Sequence, residues 1–338
     1  MGNDTLSTKY KVLEVLRANS GPVSGEAIAS EKGVSRVSVW KAVQALQAAG
    51  YGISSAKDGY CLTKDLKDSL YPWEFGAQES LFEHFSETES TMNEARRIVE
   101  SEGDSGAART RIITADRQTK GQGQNNHSWT TTEGSLACTV ITQNHIPTAA
   151  YHRVTMAAQV ALVDVLTAQT GRRFYVRWPN DIWTDEGKVG GILDELSSVG
   201  NVCKWITVGI GLNMTSRPRI PQSDCVSSDG TLSRKELLSL FWDAFQAQEK
   251  SVQDDSDELA AKWNSMCSDC GKKVRFSGDG EEHIFTKING WGWAEFASSD
   301  GKKKTVLPPG AVRFTDRNCH FGFFAVSGQN SVFPPNYD

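Results

Sequence analysis

The sequence has 338 residues, 38% hydrophobic and 23% charged, with a net charge of −5 at pH 7; at that length two or three domains are expected rather than one core. No run of about 18 uncharged apolar residues exists to cross a membrane, and the opening MGNDTLSTKY has neither the basic nor the apolar region of a secretory signal. Seven scattered cysteines, an odd count, argue against a disulfide framework, so a reducing compartment and a cytoplasmic location are expected.

Charge is uneven along the chain. Residues 1–64 carry eight basic and five acidic side chains, +3, which leaves −8 for the remainder. A basic head on an acidic body suits phosphate contact at the head alone. The pattern there predicts three helices and a hairpin. Thr8–Ala18 sets Val12, Leu13 and Leu16 on one face. Ser24 caps a second, short helix that stops at Gly33; Ser35 caps a third, running to Gly50, with Val39, Val43 and Leu46 as its buried stripe. The run YGISSAKDGYCL reads as two short strands turning at Lys57-Asp58-Gly59, a wing. Helix, tight turn, helix and wing make a winged helix-turn-helix. The start of its third helix, Ser35, Arg36, Ser38 and Lys41, is the candidate DNA-binding surface. A helical protein-interaction module with solvated charges is the alternative.

Residues 67–80 read as a linker, broken by Pro72 and Gly76. Beyond it, residues 81–266 alternate helices with short strands around glycine turns. Thr91-x-x-Glu94 reads as a capping box opening the helix MNEARRIVE, with Ser90 and Thr91 also candidates for a ligand. In the loop from Gln118 to Trp129, Gly121 and Gly123 let backbone N–H groups approach a phosphate or carboxylate; a flexible surface loop is the plain alternative. The loop is neither a Walker A motif, since the chain has no Gly-x-x-x-x-Gly-Lys-Ser/Thr run, nor a Rossmann turn, since the third glycine is missing and no helix follows. Val176–Trp183 reads as a strand, with a bend at Asp185-Glu186-Gly187 and a second strand opening at Lys188. A lysine beside Gly190 and Gly191 at the head of an apolar strand is a plausible partner for a carboxylate or phosphate. Val208–Asn213 reads as a buried strand whose glycines imply close approach of a backbone or a ligand. Four short strands follow, at Lys273–Phe276, Ile284–Ile288, Trp291–Phe296 and Lys303–Leu307, with turns at Gly278-Asp279-Gly280, Asn289-Gly290 and Asp300-Gly301. They suggest a small barrel. Cys267-x-x-Cys270 and Cys319-His320 are half of a zinc pattern without its second pair, so no zinc is expected.

Ser90-Thr91, the Gln118–Trp129 loop, Trp178-Pro179-Asn180-Asp181, Lys188-x-Gly-Gly-Ile-Leu and Gly209-x-Gly-x-Asn213 together resemble biotin protein ligases. The head resembles the repressor domain of the bifunctional bacterial members, and order and spacing agree over residues 8–315. The resemblance implies an α+β chain: a winged helix-turn-helix at 1–66, a linker at 67–80, a mixed α/β ligase domain of the class II synthetase-like type at 81–266, an SH3-like small β-barrel at 267–315, and a tail of unknown role at 316–338. It implies an ATP-dependent, AMP-forming reaction. Biotin carboxylate attacks the α-phosphate of Mg-ATP to give biotinoyl-5′-AMP and pyrophosphate; a lysine on the carrier domain of a carboxylase then takes the biotin and releases AMP. Ser90, Thr91, Met92, Gln118, Gly121, Gln122, Gly123, Gln124, Gly190 and Gly191 would hold biotin. Lys188 would bind its carboxylate and then stabilise the acyl phosphate. Trp129, Asn180, Asp181 and Asn213 would hold the adenylate, with Mg2+ near Asp181. Operator DNA and a second copy of the chain, drawn together by ligand, are the further implied partners. A lipoate-type protein ligase and a non-catalytic biotin-sensing repressor are the rival readings.

One departure matters. The family's loop usually carries Gly-Arg-Gly-Arg, and this chain has Gly121-Gln122-Gly123-Gln124. Arg117, Lys120 or Arg177 is expected to supply part of the missing charge.

Overall fold

The structure is a computed structural model, and it describes residues 6–102, 110–124, 127–143, 145–254, 257–276, 281–309 and 311. The expected turn at Gly278-Asp279-Gly280, the Cys319-His320 pair and the tail from 316 lie outside the described residues.

The head comprises α1 (Thr8–Ala18), α2 (Gly25–Lys32), α3 (Arg36–Ala48) and the antiparallel pair β1 (Gly52–Ala56) and β2 (Gly59–Lys64). Its boundaries follow from local chemistry. Ser7, Ser24 and Ser35 each accept a backbone N–H from the first turn of their helix, and Gly33 takes the left-handed conformation that ends α2. Val12, Leu16, Ile28, Val39, Val43 and Leu46 form a separate small core.

The stretch read as a linker is packed. Pro72–Glu74 and Gly76–Leu81 form 3-10 turns, Leu70 is fully buried, and Phe75 stacks on Phe82 with centroids 3.6 Å apart. Its aromatic residues supply the apolar surface that turns a broken stretch into a joint. Glu74 has no exposed side-chain surface; it accepts from Arg17 of α1 at 2.7 Å, from the Tyr51 hydroxyl, and from Lys235 at 2.9 Å.

The body is a seven-stranded sheet. Its strands are β3 (Phe82–Thr88), β4 (Arg111–Gln118), β5 (Leu136–Thr142), β6 (Tyr175–Arg177), β7 (Asp181–Trp183), β8 (Lys188–Val199) and β9 (Val202–Leu212), in the order β3-β4-β5-β9-β8-β7-β6. Only β3 and β4 pair in parallel. The run Val176–Trp183, expected as one strand, is two, because Trp178–Asn180 turns the chain and Pro179, after a cis bond, has no N–H for a ladder.

Side chains alternate between the two faces. Cys138, Val140, Val208, Ile210, Leu212 and Ile192 face the main core, which includes the buried face of α5 (His152–Thr170). The helices α6 (Arg234–Ala247), α7 (Glu249–Gln253) and α8 (Asp257–Met266) lie on α5, where Trp263 Nε1 donates to Gln159 Oε1 at 2.7 Å. On the opposite face α4 (Thr91–Glu102) packs Ala95 against Ile113, Ile141 and Trp205. Behind the body stand β10 (Lys273–Arg275), β11 (Glu282–Ile288), β12 (Ala294–Ser298) and β13 (Lys304–Leu307), a consecutive antiparallel sheet. Phe285 and Phe296 join the main core, and Trp178 Nε1 donates to Gly292 O at 3.2 Å. The third strand starts later than expected. Asn289 Oδ1 accepts from Trp291 N at 3.0 Å and Trp293 N at 3.1 Å, which folds 289–293 into a turn.

Candidate active site

Five strands, the start of one helix and the loop between β4 and β5 build a single pocket. Its floor is a row of small residues: Gly191 on β8 lies beside Gly211 on β9, and Gly209 lies between Leu193 and Thr139. Within the chain, the close approach these glycines imply is made by side chains. A Cβ at Gly209 would stand 2.7 Å from Met92 Sδ, and one at Gly211 would stand 2.5 Å from the Trp129 indole. The glycines make room for two side chains that wall the pocket. Gly211→Ala must therefore displace Trp129, and we expect it to cost about 1–3 kcal/mol of stability and to weaken ligand binding. Denaturant unfolding and a binding titration check both.

One end of the pocket is neutral and polar. Ser90 Oγ accepts the Met92 N–H at 3.2 Å, and its own hydroxyl hydrogen has no acceptor among the described residues. The expected Thr91–Glu94 capping box does not form. Gln118 Oε1 accepts from Thr91 N at 2.8 Å and Thr91 Oγ1 at 3.1 Å, while Thr139 Oγ1 donates to Thr91 Oγ1 at 2.8 Å. Glu94 turns to Thr88 and Arg97 instead. The physical reason is the position of β4, whose last residue, Gln118, ends against the helix start and replaces the local cap. Gln118 lines the pocket with its oxygen occupied and its Nε2 3.5 Å from Thr131 Oγ1. Cys138, on the same wall, is wholly buried, and burial pushes its thiol up to about 12. It stays neutral and supplies packing rather than a thiolate.

The other end is charged. Lys188 Nζ lies 2.6 Å from Asp181 Oδ1, folds back over Gly191, and sits 5.8 Å from the centroid of the Trp129 ring. Register brings these together: Asp181 pairs with Gly191 and Trp183 with Lys188 across β7 and β8. Asn180 pins that turn through Nδ2 to Ile192 O at 2.6 Å, which leaves its Oδ1 buried without a partner among the described residues. Trp129 Nε1 is in the same state.

Most of the residues singled out from the sequence meet here. Ser90, Thr91, Met92, Gln118, Gln122, Gly123, Gln124, Trp129, Asn180, Asp181, Lys188 and Gly191 line the pocket; Gly121, Gly190 and Asn213 do not. Gly121 closes the loop against Trp129, with Trp129 N donating to Gly121 O at 2.8 Å. Gly190 makes room for Leu212, whose Cδ2 a Cβ at that position would strike. Asn213, expected at an adenine or ribose, is 2% exposed and donates to Asp224 O at 3.0 Å. His127, Ser128, Cys138 and Leu193 line the pocket and were missed. Their signal is register with residues already singled out, which becomes visible once the strands are aligned.

The expected substitutes for loop arginines stand elsewhere. Arg117 pairs with Glu87, Lys120 pairs with Glu89 at 2.6 Å, and Arg177 stacks 3.9 Å from the Trp183 ring centroid. None of the three lines the pocket. On the head, Ser35 Oγ accepts Ser38 N–H at 3.0 Å and lies 2.9 Å from Ser38 Oγ, and Arg36 pairs with Glu26 at 3.1 Å. Lys41 is exposed; so are Val37 and Trp40, which sequence reasoning passed over.

A helix-turn-helix head is thus joined to an α/β body that holds a polar, lysine-bearing pocket. Residues 86–213 match the biotin/lipoate A/B protein ligase family and residues 8–61 match an HTH domain. The first match covers the pocket-bearing part of the body and the second covers the head, so the chain carries a biotin/lipoate A/B protein ligase domain and an HTH domain. The bifunctional ligase/repressor BirA of Bacillus subtilis is 28% identical over 217 residues, 63% of this chain and 67% of that protein. That of Bacillus spizizenii is 28% identical over 204 residues, 60% of this chain and 63% of the relative, a little under two thirds of its length. The fold is also that of the biotin protein ligase from Aquifex aeolicus solved with biotin and ATP, with a TM-score of 0.56 and 23% identity over 69% of this chain and 98% of that one.

Proposed function

We propose that this chain is a biotin protein ligase that forms biotinoyl-5′-AMP from biotin and ATP, transfers biotin to a lysine of a carboxylase carrier domain, and represses transcription through its head. The observation that carries the reading is the polarity of the pocket, neutral hydrogen-bonding groups at one end and the Lys188 ammonium at the other. A ureido ring offers both N–H and C=O groups to the Ser90 hydroxyl, Thr91 and the Gln118 amide. The valeryl carboxylate then reaches Lys188, which leaves Asp181 to hold the developing charge at the acyl phosphate. Asn180 Oδ1 and Trp129 Nε1 are an acceptor and a donor for the adenylate. Met92, Gln122, Gly123, Gln124 and Gly191 shape the walls around it, while Gly121 and Gly190 act by closing the loop and the strand.

Asp181 is the only carboxylate among the pocket-lining residues; its Oδ1 is taken by Lys188 and its Oδ2 lies 3.4 Å from Trp183 Nε1. That donor set does not suit a resident Mg2+, which needs near-octahedral oxygen ligands, so Mg2+ is assigned to the triphosphate it arrives with. The lipoate reading fits less well, because a dithiolane would leave the polar end unpaired, and buried polar groups reject such analogues strongly. Pyrophosphate exchange with biotin, with lipoate and with neither tests this. Exchange with lipoate alone would overturn the reading, and exchange with neither would favour a non-catalytic sensor.

Residues 1–66 are assigned as the DNA-binding domain, 67–80 as the joint, 81–266 as the catalytic domain, 267–315 as an SH3-like domain assisting ATP and acceptor, and 316–338 remain a tail of unknown role. Among the described residues no helix is long and apolar enough to cross a membrane; a cytoplasmic enzyme forming ligand-promoted dimers on operator DNA completes the reading.

The loop glutamines have a measurable consequence. An arginine facing a phosphate gains about 1.5–3 kcal/mol as a charge-assisted hydrogen bond. Gln124→Arg is therefore expected to slow adenylate release by about ten- to a hundredfold, at 1.4 kcal/mol per decade. Lys120→Ala is expected to change nothing, since Lys120 is exposed and paired with Glu89 outside the pocket. Stopped-flow release from both variants decides between them.

A further inference from the structure

The third helix of the head carries an apolar pair on its open side. Val37 is 61% exposed and Trp40 53% exposed, one turn apart, while Val39, Val43 and Leu46 fill the head's core from the opposite face. Neither Val37 nor Trp40 packs against that core. A half-exposed tryptophan is a large apolar surface left to water, and its neighbours on the same side are Lys41 and Gln44, both exposed. The hydroxyls of Ser35 and Ser38 are turned to each other at 2.9 Å, and Arg36 pairs with Glu26 at 3.1 Å. The polar groups expected to read base edges are thus largely engaged within the head. What the helix offers is an apolar centre rimmed by basic and amide groups.

Resting on the DNA-binding reading above, we propose that Val37 and Trp40 recognise thymine C5-methyl groups in the major groove, so that the head selects thymine by apolar contact rather than by bidentate hydrogen bonding. The thymine methyl is the one apolar group that base edges present in that groove. The charge on the page fits this partner. Residues 1–64 carry +3 on a chain of −5, with Lys41 on the helix and Lys57 at the turn of the hairpin, so phosphates can flank the apolar pair on both sides.

The test uses the full chain with biotin and Mg-ATP. Duplexes are first selected from a random pool, and each thymine of the selected site is then replaced by deoxyuridine, which removes the methyl and keeps the pairing. A buried methyl contributes about 0.8 kcal/mol, so at least one position per half-site is expected to weaken binding about fourfold. In a Val37→Ala, Trp40→Ala variant the same replacements are expected to have no effect, and the salt dependence is expected to match the unmodified chain. Lys41→Ala is expected to lower the salt slope by about one. A selected duplex that tolerates every deoxyuridine would overturn the methyl reading and leave DNA binding intact; because this scan uses the unmodified chain, folding of the variants does not enter. Failure to enrich any duplex would overturn the DNA-binding reading and this inference with it.

Discussion

Lys188→Ala is expected to reduce biotin-dependent pyrophosphate exchange by about 10²–10³-fold, the usual cost of removing one donor aimed at developing charge. Three features of the site make the effect large. Lys188 is the only lysine or arginine among the pocket-lining residues. Its ammonium is already placed, 2.6 Å from Asp181 Oδ1 and folded over Gly191, so little reorganisation precedes the reaction. Its removal also leaves the Asp181 carboxylate, 7% exposed, with only the Trp183 indole at 3.4 Å, which sets an unmatched negative charge against the incoming carboxylate. Lys188→Arg is expected to restore little, because a guanidinium is wider than an ammonium and the space over Gly191 is shared with Trp129. Leaving Asp181 unpaired also costs folding stability, lessened because the lysine side chain is about a third exposed, so exchange is compared at equal concentrations of folded protein. Near-normal exchange by a folded Lys188→Ala variant would remove Lys188 from the reaction.

The head was the most legible part of the sequence because its signals are local. Serine caps, Gly33 and an apolar stripe each act within one or two turns, and the helices they predict are the helices observed. The pocket was legible only by residue type. Lys188 stood out as a cation opening an apolar strand, yet its pairing with Asp181 depends on the β7–β8 register, and β7 begins only after the Trp178–Asn180 turn, which the sequence did not separate. Gly209 and Gly211 signalled close approach correctly but not by what, because Met92 and Trp129 come from a helix and a loop far away in the chain. Thr91 looked like a cap because Glu94 stands three residues on; the competing acceptor, Gln118, is 27 residues distant. Residues 67–80 looked like a linker because breakers dominate local patterning, whereas Leu70, Phe75 and Glu74 are buried by partners on either side.

Glu74→Ala is expected to destabilise the joint between head and body by about 2–3 kcal/mol. Breaking a buried ion pair costs about 3–5 kcal/mol, and the figure is lowered here because both cations are partly in water; Arg17 is 31% and Lys235 28% exposed, while Glu74 has no exposed side-chain surface. Arg17 keeps Asp65 at 2.7 Å, so Lys235 and the Tyr51 hydroxyl lose most. Burial alone would push the Glu74 carboxyl up, but Arg17, Tyr51 and Lys235 outweigh it and hold it below the usual carboxylate range. Asp65 is lowered in the same way by Arg17 against its own burial. A carboxyl whose folded value lies below its unfolded one contributes stability that is full above the unfolded value, near pH 4.3 for a glutamate, and is lost as pH falls through the folded one. The joint should therefore hold unchanged from neutral pH to about pH 5 and weaken below about pH 4. In the unmodified chain head and body are expected to melt together at pH 7; in Glu74→Ala a separate, earlier transition of the head is expected, with faster proteolytic cleavage between residues 65 and 80. Glu74→Gln, which keeps one of the two accepting oxygens and loses the charge, should lie between the two and should lack the acid-dependent loss contributed by Glu74. A single transition with an unchanged midpoint in Glu74→Ala would show that the apolar contacts of Leu70 and Phe75 alone hold the joint.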